Sequence, residues 1–185
     1  MTLSRCQPYS VEKWRYVGIF GFLWGKAGRV GKTVVFRGVQ HINMDAKGRL
    51  AMPSRQREPL QSRCAGQIVV TIDTQSSCLI LYPLPEWERI EQDIQSLPAL
   101  KPAVKRFQRL VLGYATDLEL DASGRVLLPQ PLRDYAQLEK KLVLVGQGNK
   151  LELWSEDLWL AERDQALLDS GGQDEMPDEL IALKL

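Results

Sequence analysis

Short stretches in which apolar residues alternate with polar ones, or run together, recur along the chain and predict partly buried strands. Four such stretches lie in the first half, at residues 39–43, 49–52, 68–72 and 79–82. Four more follow in the same order, at 116–120, 125–128, 142–145 and 151–154. Pro53 and Pro129 end the second strand of each group, because proline cannot donate a hydrogen bond to a neighbouring strand. The pattern predicts two successive groups of four short strands.

Helical spacing of apolar residues predicts the elements between and after these strands. A short helix is predicted at about 54–61, with Ser54 as its N-cap, and its counterpart at about 131–138 has Pro131 in its first turn. Longer helices are predicted at 85–97, 102–113 and 156–168. In the first of these three, Trp87 and Ile94 share one face with other apolar residues. The combination predicts an α+β, β-rich protein.

The second group of strands repeats the first in sequence. Residues 45–53 match residues 121–129 at an offset of 76, with Asp, Ala, Gly, Arg and Pro identical. Two further matches follow in the same order, so duplication is the expected origin of the two halves. The aspartates can bond nearby backbone amides and the glycines can adopt a positive φ. One tight turn is therefore predicted in each copy, formed by Asp45 with Gly48 and by Asp121 with Gly124.

Charge is distributed unevenly, although the chain of 185 residues has a formal net charge of only +1. Residues 1–34 hold 6 basic and 1 acidic side chains, residues 35–113 hold 11 and 7, and residues 114–185 hold 7 and 15. A basic front half and an acidic back half point to a nucleic-acid partner or an acidic tail. We expect a basic leader at 1–34, a first module with helices at 35–113, a second module with one helix at 114–168 and an acidic tail at 169–185.

The residue inventory argues against catalytic and metal chemistry. His41 is the only histidine and the three cysteines lack metal-binding spacing, so we expect neither a zinc site nor a Ser–His–Asp triad. The segment 25–33 resembles a phosphate-binding loop, but Gly25 lies one residue too far from Gly31. Asp45 and Asp121 have turn roles and no nucleophile beside them. We predict no enzyme, no metal or other cofactor and no small-molecule substrate.

Neither a membrane nor an oxidising compartment is indicated by the sequence. The apolar run at 17–24 is shorter than the roughly 20 residues that span a bilayer. Three cysteines, an odd number without paired spacing, favour a reducing compartment.

Motifs in both copies, over roughly residues 36–168, resemble the MraZ family of bacterial transcriptional regulators. They are Phe36-Arg37-Gly38, Asp45-x-Lys47-Gly48-Arg49, Leu81-Tyr82-Pro83-x-x-x-Trp87, Asp121-x-x-Gly124-Arg125 and Val145-Gly146-Gln147-x-Asn149-Lys150. The resemblance implies two tandem AbrB-like swapped-hairpin modules, packed as a pseudo-dimeric barrel with flanking helices. Members of the family usually begin with Met directly before Phe-Arg-Gly, where this chain has Val35. Residues 1–34 are therefore expected to be disordered or to be translated from a misassigned start.

The resemblance also implies a function and a partner. Members assemble into rings and repress their own division and cell-wall gene cluster, so this chain is expected to be a cytoplasmic, nucleoid-associated homo-oligomer. Its partner is expected to be double-stranded promoter DNA carrying tandem short repeats. Ring assembly would let several weak contacts act together through avidity.

The cations of the predicted turns are the candidate DNA ligands, because arginine can contact guanine and phosphate while lysine contacts phosphate. Arg49 is expected to contact a base or a phosphate, and Lys47 is matched in the second copy only by Ser123. A simpler interpretation is that Arg49 only pairs with Asp45 inside the turn. The full candidate set is Arg49, Lys47, Arg37, Arg125, Arg55 and Arg57.

Two other functions remain open from the residues alone. An AbrB-like module also serves as the DNA-binding part of antitoxins, in which an acidic tail covers a partner protein. The segment 169–185 fits that alternative, whereas the duplication argues against it. A ring that serves only as a scaffold is the other alternative.

Overall fold

A computed structural model describes residues 35–98 and 100–170, with side chains to residue 168. The expected leader at 1–34 and residues 171–185 of the expected tail lie outside the described residues. The first copy comprises β1 (Phe36–Asn43), β2 (Arg49–Ala51), α1 (Ser54–Cys64), β3 (Gln67–Ile72), β4 (Leu79–Pro83), α2 (Leu84–Ser96) and α3 (Pro102–Tyr114). The second comprises β5 (Thr116–Glu119), β6 (Arg125–Leu127), α4 (Gln130–Tyr135), β7 (Lys141–Gly148), β8 (Lys150–Ser155) and α5 (Glu156–Ser170).

Strands of both copies share one antiparallel sheet of six, in the order β1-β7-β8-β4-β3-β5. The order is symmetric between copies, because β1 pairs with the third strand of the second copy and β5 pairs with the third strand of the first. The fourth strands, β4 and β8, pair at the centre. Neither copy could form this sheet alone, so the chain folds as an α+β protein whose two copies exchange strands.

The expected barrel is not confirmed. Within the described residues, the sheet is open, with β1 and β5 as its two edges. The second strands of the copies, β2 and β6, instead form a separate two-stranded antiparallel ribbon. The ribbon is joined to β1 by a single bridge between Met44 and Leu50.

Both faces of the sheet are packed. One face forms the main core with the ribbon and helices α1 and α4, and it includes Leu50, Val126 and Leu144. On the other face, α2 and α3 cover β3 and β4, where Trp87 is buried. Helix α5 covers β7 and β8, where Trp154 is buried. This packing fixes the ribbon on one side of the molecule.

The predicted helix ends differ from the observed ones for local reasons. Ser54 is not an N-cap: α1 begins at this residue, the N-cap position is Pro53, and no side chain caps the helix. The helix continues past the predicted end to Cys64 and stops where Ala65 adopts a left-handed conformation. Helix α4 ends early, at Tyr135, and Gln137 then has a positive φ of 50°.

Strand β7 is longer than its apolar run. The sequence predicts this strand at 142–145, but β7 continues to Gly148 because β1 pairs with it from Phe36 onward. Long-range pairing thus extends the strand past the end of its apolar run.

Candidate nucleic-acid interface

Asp45 organises the first turn (residues 45–48). Its Oδ1 accepts hydrogen bonds from the backbone N–H groups of Lys47 and Arg49, each at 2.9 Å. Its Oδ2 accepts one from Nε of Arg49 at 2.8 Å. The backbone N–H of Gly48 donates to the Asp45 carbonyl at 3.0 Å, and Gly48 has a φ of 83°. The carboxylate therefore fixes both the backbone of the turn and the direction of the arginine.

The second turn (residues 121–124) has the same geometry. Oδ1 of Asp121 accepts from the backbone N–H groups of Ser123 and Arg125, at 2.8 and 2.9 Å. Oδ2 accepts from Nε of Arg125 at 3.1 Å. Gly124 has a φ of 72°. Identical residues in the two copies thus form two turns with the same hydrogen bonds.

The ionised state of both aspartates is favoured. The backbone N–H of Arg49 is the largest influence that lowers the pKa of Asp45, and the backbone N–H of Arg125 does the same for the pKa of Asp121. The paired guanidinium groups lower both values further. At neutral pH each turn therefore carries a carboxylate that is already engaged.

The ribbon places the two arginines on one face. Arg49 lies opposite Leu127 and Arg125 lies opposite Ala51 in the register of β2 and β6. Since alternate residues and directly paired residues share a face, all four point outward, and Arg49 and Arg125 are diagonal neighbours. Diagonal neighbours in such a pair lie about 7–8 Å apart. The opposite face is apolar and buried, which holds the ribbon against the core.

Backbone bonds between the copies hold each turn in place. The N–H of Met52 donates to the carbonyl of Gly124 at 2.8 Å, and the N–H of Leu128 donates to the carbonyl of Gly48 at 2.9 Å. Each turn is therefore tied to the strand end of the other copy. The two turns cannot move independently of the ribbon.

An arginine from the opposite copy covers each turn. Arg57 of α1 lies over Gly124, where a Cβ would come within 2.3 Å of its Cδ. Its Nη1 also donates to the carbonyl of Ser123 at 3.3 Å. Arg133 of α4 lies over Gly48, where a Cβ would come within 2.8 Å of its Cζ. Arg133 stands at the same offset of 76 from Arg57 as the turns do from each other.

The remaining candidate cations do not all lie on the same side of the molecule. Lys47 is exposed within the first turn. Arg55 is exposed on α1, and its Nη1 lies 3.5 Å from the position a Cβ would take on Gly38. Arg37 is also exposed, but on β1 it alternates with Gly38 and so points to the opposite side of the strand. The structure therefore groups Arg55 with the ribbon side and separates Arg37 from it.

The two ends of the ribbon differ in charge. At the second turn, Arg57 shares an open hollow with Glu119 and Asp121. At the first turn, the backbone N–H of Met44 donates to the carbonyl of Lys140, and Lys47 stands where the second turn has the uncharged Ser123. The position that corresponds to Glu119 in the first copy is Asn43, which carries no charge. The first turn is therefore the more positive end.

Sequence reasoning missed Arg133 and Lys140 as neighbours of the first turn. Both belong to the second copy, and only the exchange of strands between copies brings them to residues 45–48. The offset of 76 was a usable signal for Arg133, because it pairs this residue with the candidate Arg57.

The pairing of each arginine with its own aspartate, the simpler interpretation of the sequence, is observed. It uses only Nε, and in the described part of the chain no hydrogen-bond partner holds the terminal nitrogens of Arg49 or Arg125. The side chain of Arg49 is 38% exposed and that of Arg125 is 43% exposed. Pairing therefore orients both guanidinium groups and leaves their outer edges open to a ligand.

Other titratable groups serve the packing of α5. Nδ1 of His41 lies 3.0 Å from Oε1 of Glu156, and Nζ of Lys141 lies 3.2 Å from Oε2 of the same carboxylate. These two contacts lower the pKa of Glu156, with His41 as the larger influence. Over residues 35–98 and 100–170 there is no cluster of three metal-ligating side chains, and no helix there is long and apolar enough to cross a membrane.

The fold and these turns define a class: a duplicated α+β protein that presents paired arginine-bearing turns on a ribbon shared by both copies. Residues 35–110 and 111–171 each match the family described as "MraZ protein, putative antitoxin-like". The protein named transcriptional regulator MraZ in Alkalilimnicola ehrlichii is 57% identical over 151 residues, which is 82% of this chain and 100% of that protein. Proteins of the same name in Halorhodospira halophila and Pseudomonas aeruginosa are 53% and 55% identical, again over 82% of this chain and 100% of each relative. The chain belongs to the MraZ family.

Proposed function

We propose that this protein is a DNA-binding transcriptional regulator that acts on the promoter of its own gene. The observation that carries the proposal is the common outward face of Arg49 and Arg125 on the ribbon. The relatives named above are transcriptional regulators, which supports the same function.

The ribbon suits the major groove. A two-stranded ribbon fits a groove about 12 Å wide, and an arginine that contacts guanine O6 and N7 contributes about 1–3 kcal/mol of discrimination. With the ribbon in the groove, Arg49 and Arg125 on its outward face would reach the base edges. Lys47, Arg55 and Arg57 flank them and would bind phosphates, whereas Arg37, a phosphate candidate from the sequence, points to the other side of β1 and is left out of this surface. Phosphate contacts would position the ribbon, while the two central arginines would read the sequence.

The aspartates contribute rigidity rather than contact. Because Asp45 holds Nε of Arg49, the guanidinium loses less rotational freedom when DNA binds. Asp121 has the same effect on Arg125. A carboxylate beside DNA would otherwise repel phosphate, but here its charge is matched within the turn.

The finer proposal follows the family expectation. Each copy, 35–113 and 114–168, is taken as an AbrB-like swapped-hairpin module, and several chains are proposed to form a ring. A ring that engages tandem short promoter repeats gains affinity without new contacts, because each further turn binds at a high effective concentration. Repression of its own division and cell-wall gene cluster would take place on the nucleoid in the cytoplasm.

The test is an Arg49→Ala substitution with Arg163→Ala as its matched control. Arg163 is an exposed arginine on α5, and it pairs with Asp164 of the same helix. Neither residue belongs to the turns or the ribbon. We expect Arg49→Ala to abolish protection of the region upstream of the gene in DNase footprinting at fixed salt, and Arg163→Ala to retain it. Light scattering should show the same oligomer for both. Unchanged protection by Arg49→Ala would refute the proposal.

A second candidate function is an antitoxin-like protein of the same DNA-binding fold, which the family description favours. In that case residues 169–185 would cover a partner protein. Purification of the chain with the products of adjacent genes would then recover a second small protein in fixed ratio, which a promoter regulator without such a partner would not.

A further inference from the structure

We propose that Arg133 binds a DNA phosphate at the first turn, so that this part of the interface is built from both copies. The proposal deepens the proposed function and rests on it, because the anion that Arg133 would bind is the backbone of the DNA engaged by Arg49. The sequence repeat alone did not indicate Arg133 as a DNA ligand. The exchange of strands between the copies brings it to the first turn.

The backbone positions Arg133 with little freedom. Leu128 is hydrogen-bonded to the carbonyl of Gly48, and the chain passes directly from there into α4. The N–H of Arg133 donates to the carbonyl of Pro129 at 3.2 Å, within the first turn of that helix. Its guanidinium then packs against Gly48, where a Cβ would lie 2.8 Å from Cζ and 2.9 Å from Nε. Only a glycine at position 48 leaves room for the group.

The charge of Arg133 is not neutralised within the described residues. Its Nε is buried and has no hydrogen-bond partner, and none of the described ion pairs includes it. The adjacent Asp134 accepts a hydrogen bond from Gln130 instead. Asp45, the acid of the turn, is engaged by Arg49. A guanidinium group has five N–H donors and no acceptor, and no described residue accepts from the terminal nitrogens of Arg133, so these can be satisfied only by water or by an anion from outside.

The equivalent residue at the other turn is in a different state. Arg57 donates to the carbonyl of Ser123 and lies in a hollow with Glu119 and Asp121. These acids weaken its attraction for phosphate. Arg133 instead packs on Gly48, which Lys47 and Arg49 flank in the chain. Three cations around one turn, whose own carboxylate Asp45 is already engaged by Arg49, form a site that suits phosphate oxygens.

The experiment measures affinity for the shortest duplex protected in the upstream footprint, as a function of salt concentration. The variants are Arg133→Gln, Arg133→Lys and the control Arg163→Gln. Neutralising one phosphate contributes about 0.9 to the slope of log affinity against log salt, which is about an eightfold change in affinity for every tenfold change in salt. We expect Arg133→Gln to lower the slope by about 0.9 for each bound chain and to weaken binding about tenfold near 0.1 M salt. Arg133→Lys should restore the slope, and Arg163→Gln should leave it unchanged.

Each other outcome has a defined meaning. If Arg133→Gln and Arg133→Lys both weaken binding while the slope stays constant, Arg133 only supports the turn by packing, and the proposal is wrong. If Arg133→Gln binds with the affinity and slope of the unmodified protein, the proposal is again wrong, but the proposed function stands. If the unmodified protein shows no salt-dependent binding, both fail. Thermal unfolding of each variant separates loss of fold from loss of contact, and Arg133→Met, which also removes the charge, provides the test if Arg133→Gln does not fold.

Discussion

Alanine substitution at two glycines should have opposite effects on stability, because the two backbones differ. Gly48 has a φ of 83°, a region that costs an alanine about 1–2 kcal/mol. A Cβ there would also lie 2.8 Å from Cζ of Arg133, so that side chain must move. Gly113 lies within α3, and among the described residues no atom beyond the helix's own backbone and the two chain neighbours lies within 4 Å of the Cβ position. Alanine in a helix is favoured over glycine by about 0.5–1 kcal/mol.

The expected free energies of unfolding follow from these terms. Gly48→Ala should destabilise the protein by about 1–2 kcal/mol, and Gly113→Ala should stabilise it by up to about 1 kcal/mol. For a protein of this size, 1 kcal/mol corresponds to a shift in Tm of about 2–4 °C. Thermal unfolding followed by circular dichroism, at one protein concentration so that association is constant, would resolve changes of opposite sign.

The same variants test whether the turn matters for binding. Gly48→Ala displaces either the turn or Arg133, so its affinity for promoter DNA should fall, whereas Gly113→Ala should bind normally. Gly48→Asn should be less damaging than Gly48→Ala, since asparagine tolerates positive φ better. If Gly48→Ala were as stable as the unmodified protein, the argument from backbone conformation would be refuted.

Three further predictions test other parts of the structure. The pKa values of Asp45 and Asp121 are lowered in the folded turns, so their contribution to stability is present above the unfolded pKa of 3.8 and is lost as pH falls through the folded pKa values. Asn at both positions should therefore flatten the decrease in the free energy of unfolding at acid pH. An unchanged decrease would contradict the assignment. The hydroxyl of buried Thr71 donates to the carbonyl of Val111 in the last turn of α3 at 2.6 Å, so Thr71→Val should lower the free energy of unfolding by about 1–2 kcal/mol in urea, and no loss would show that the bond contributes nothing. Ser123→Lys gives the second turn the cation that Lys47 provides in the first, and it should steepen the salt dependence of DNA binding by about 0.9 per bound chain. An unchanged salt dependence would show that the second turn does not face DNA.

Local features of the fold follow from the sequence alone. A turn of the Asp-x-x-Gly-Arg type is encoded within five residues, since the carboxylate, the two amides and the glycine are all close along the chain. The succession of strands and helices along each copy is equally local, and the α+β class is confirmed. The duplication, visible as an offset of 76, correctly indicated that the family match would extend over both halves.

Features that depend on distant pairing were not predictable in this way. The end of β7 is set by its register with β1, which places Phe36 opposite Gly148. The closed barrel was expected from resemblance, but hydrogen bonding leaves β1 and β5 as edges. The arginine that packs over each turn, Arg133 over the first and Arg57 over the second, comes from the opposite copy. No periodicity in a single segment contains that information, because it arises only when segments far apart in the chain are folded together.

Fusing two copies in one chain has a consequence for the DNA that such a ribbon can recognise. In a homodimer the two turns would be identical by symmetry, and the preferred site would be palindromic. Here the copies have diverged: Lys47 corresponds to Ser123, and Arg55 corresponds to Pro131. The first turn is the more positive end: in the described part of the chain no ion pair includes Arg133, whereas acids share the hollow of Arg57 at the second turn. A ribbon with unlike ends has a direction, so each chain should prefer one orientation on an asymmetric site, and several chains should prefer such sites repeated in the same orientation.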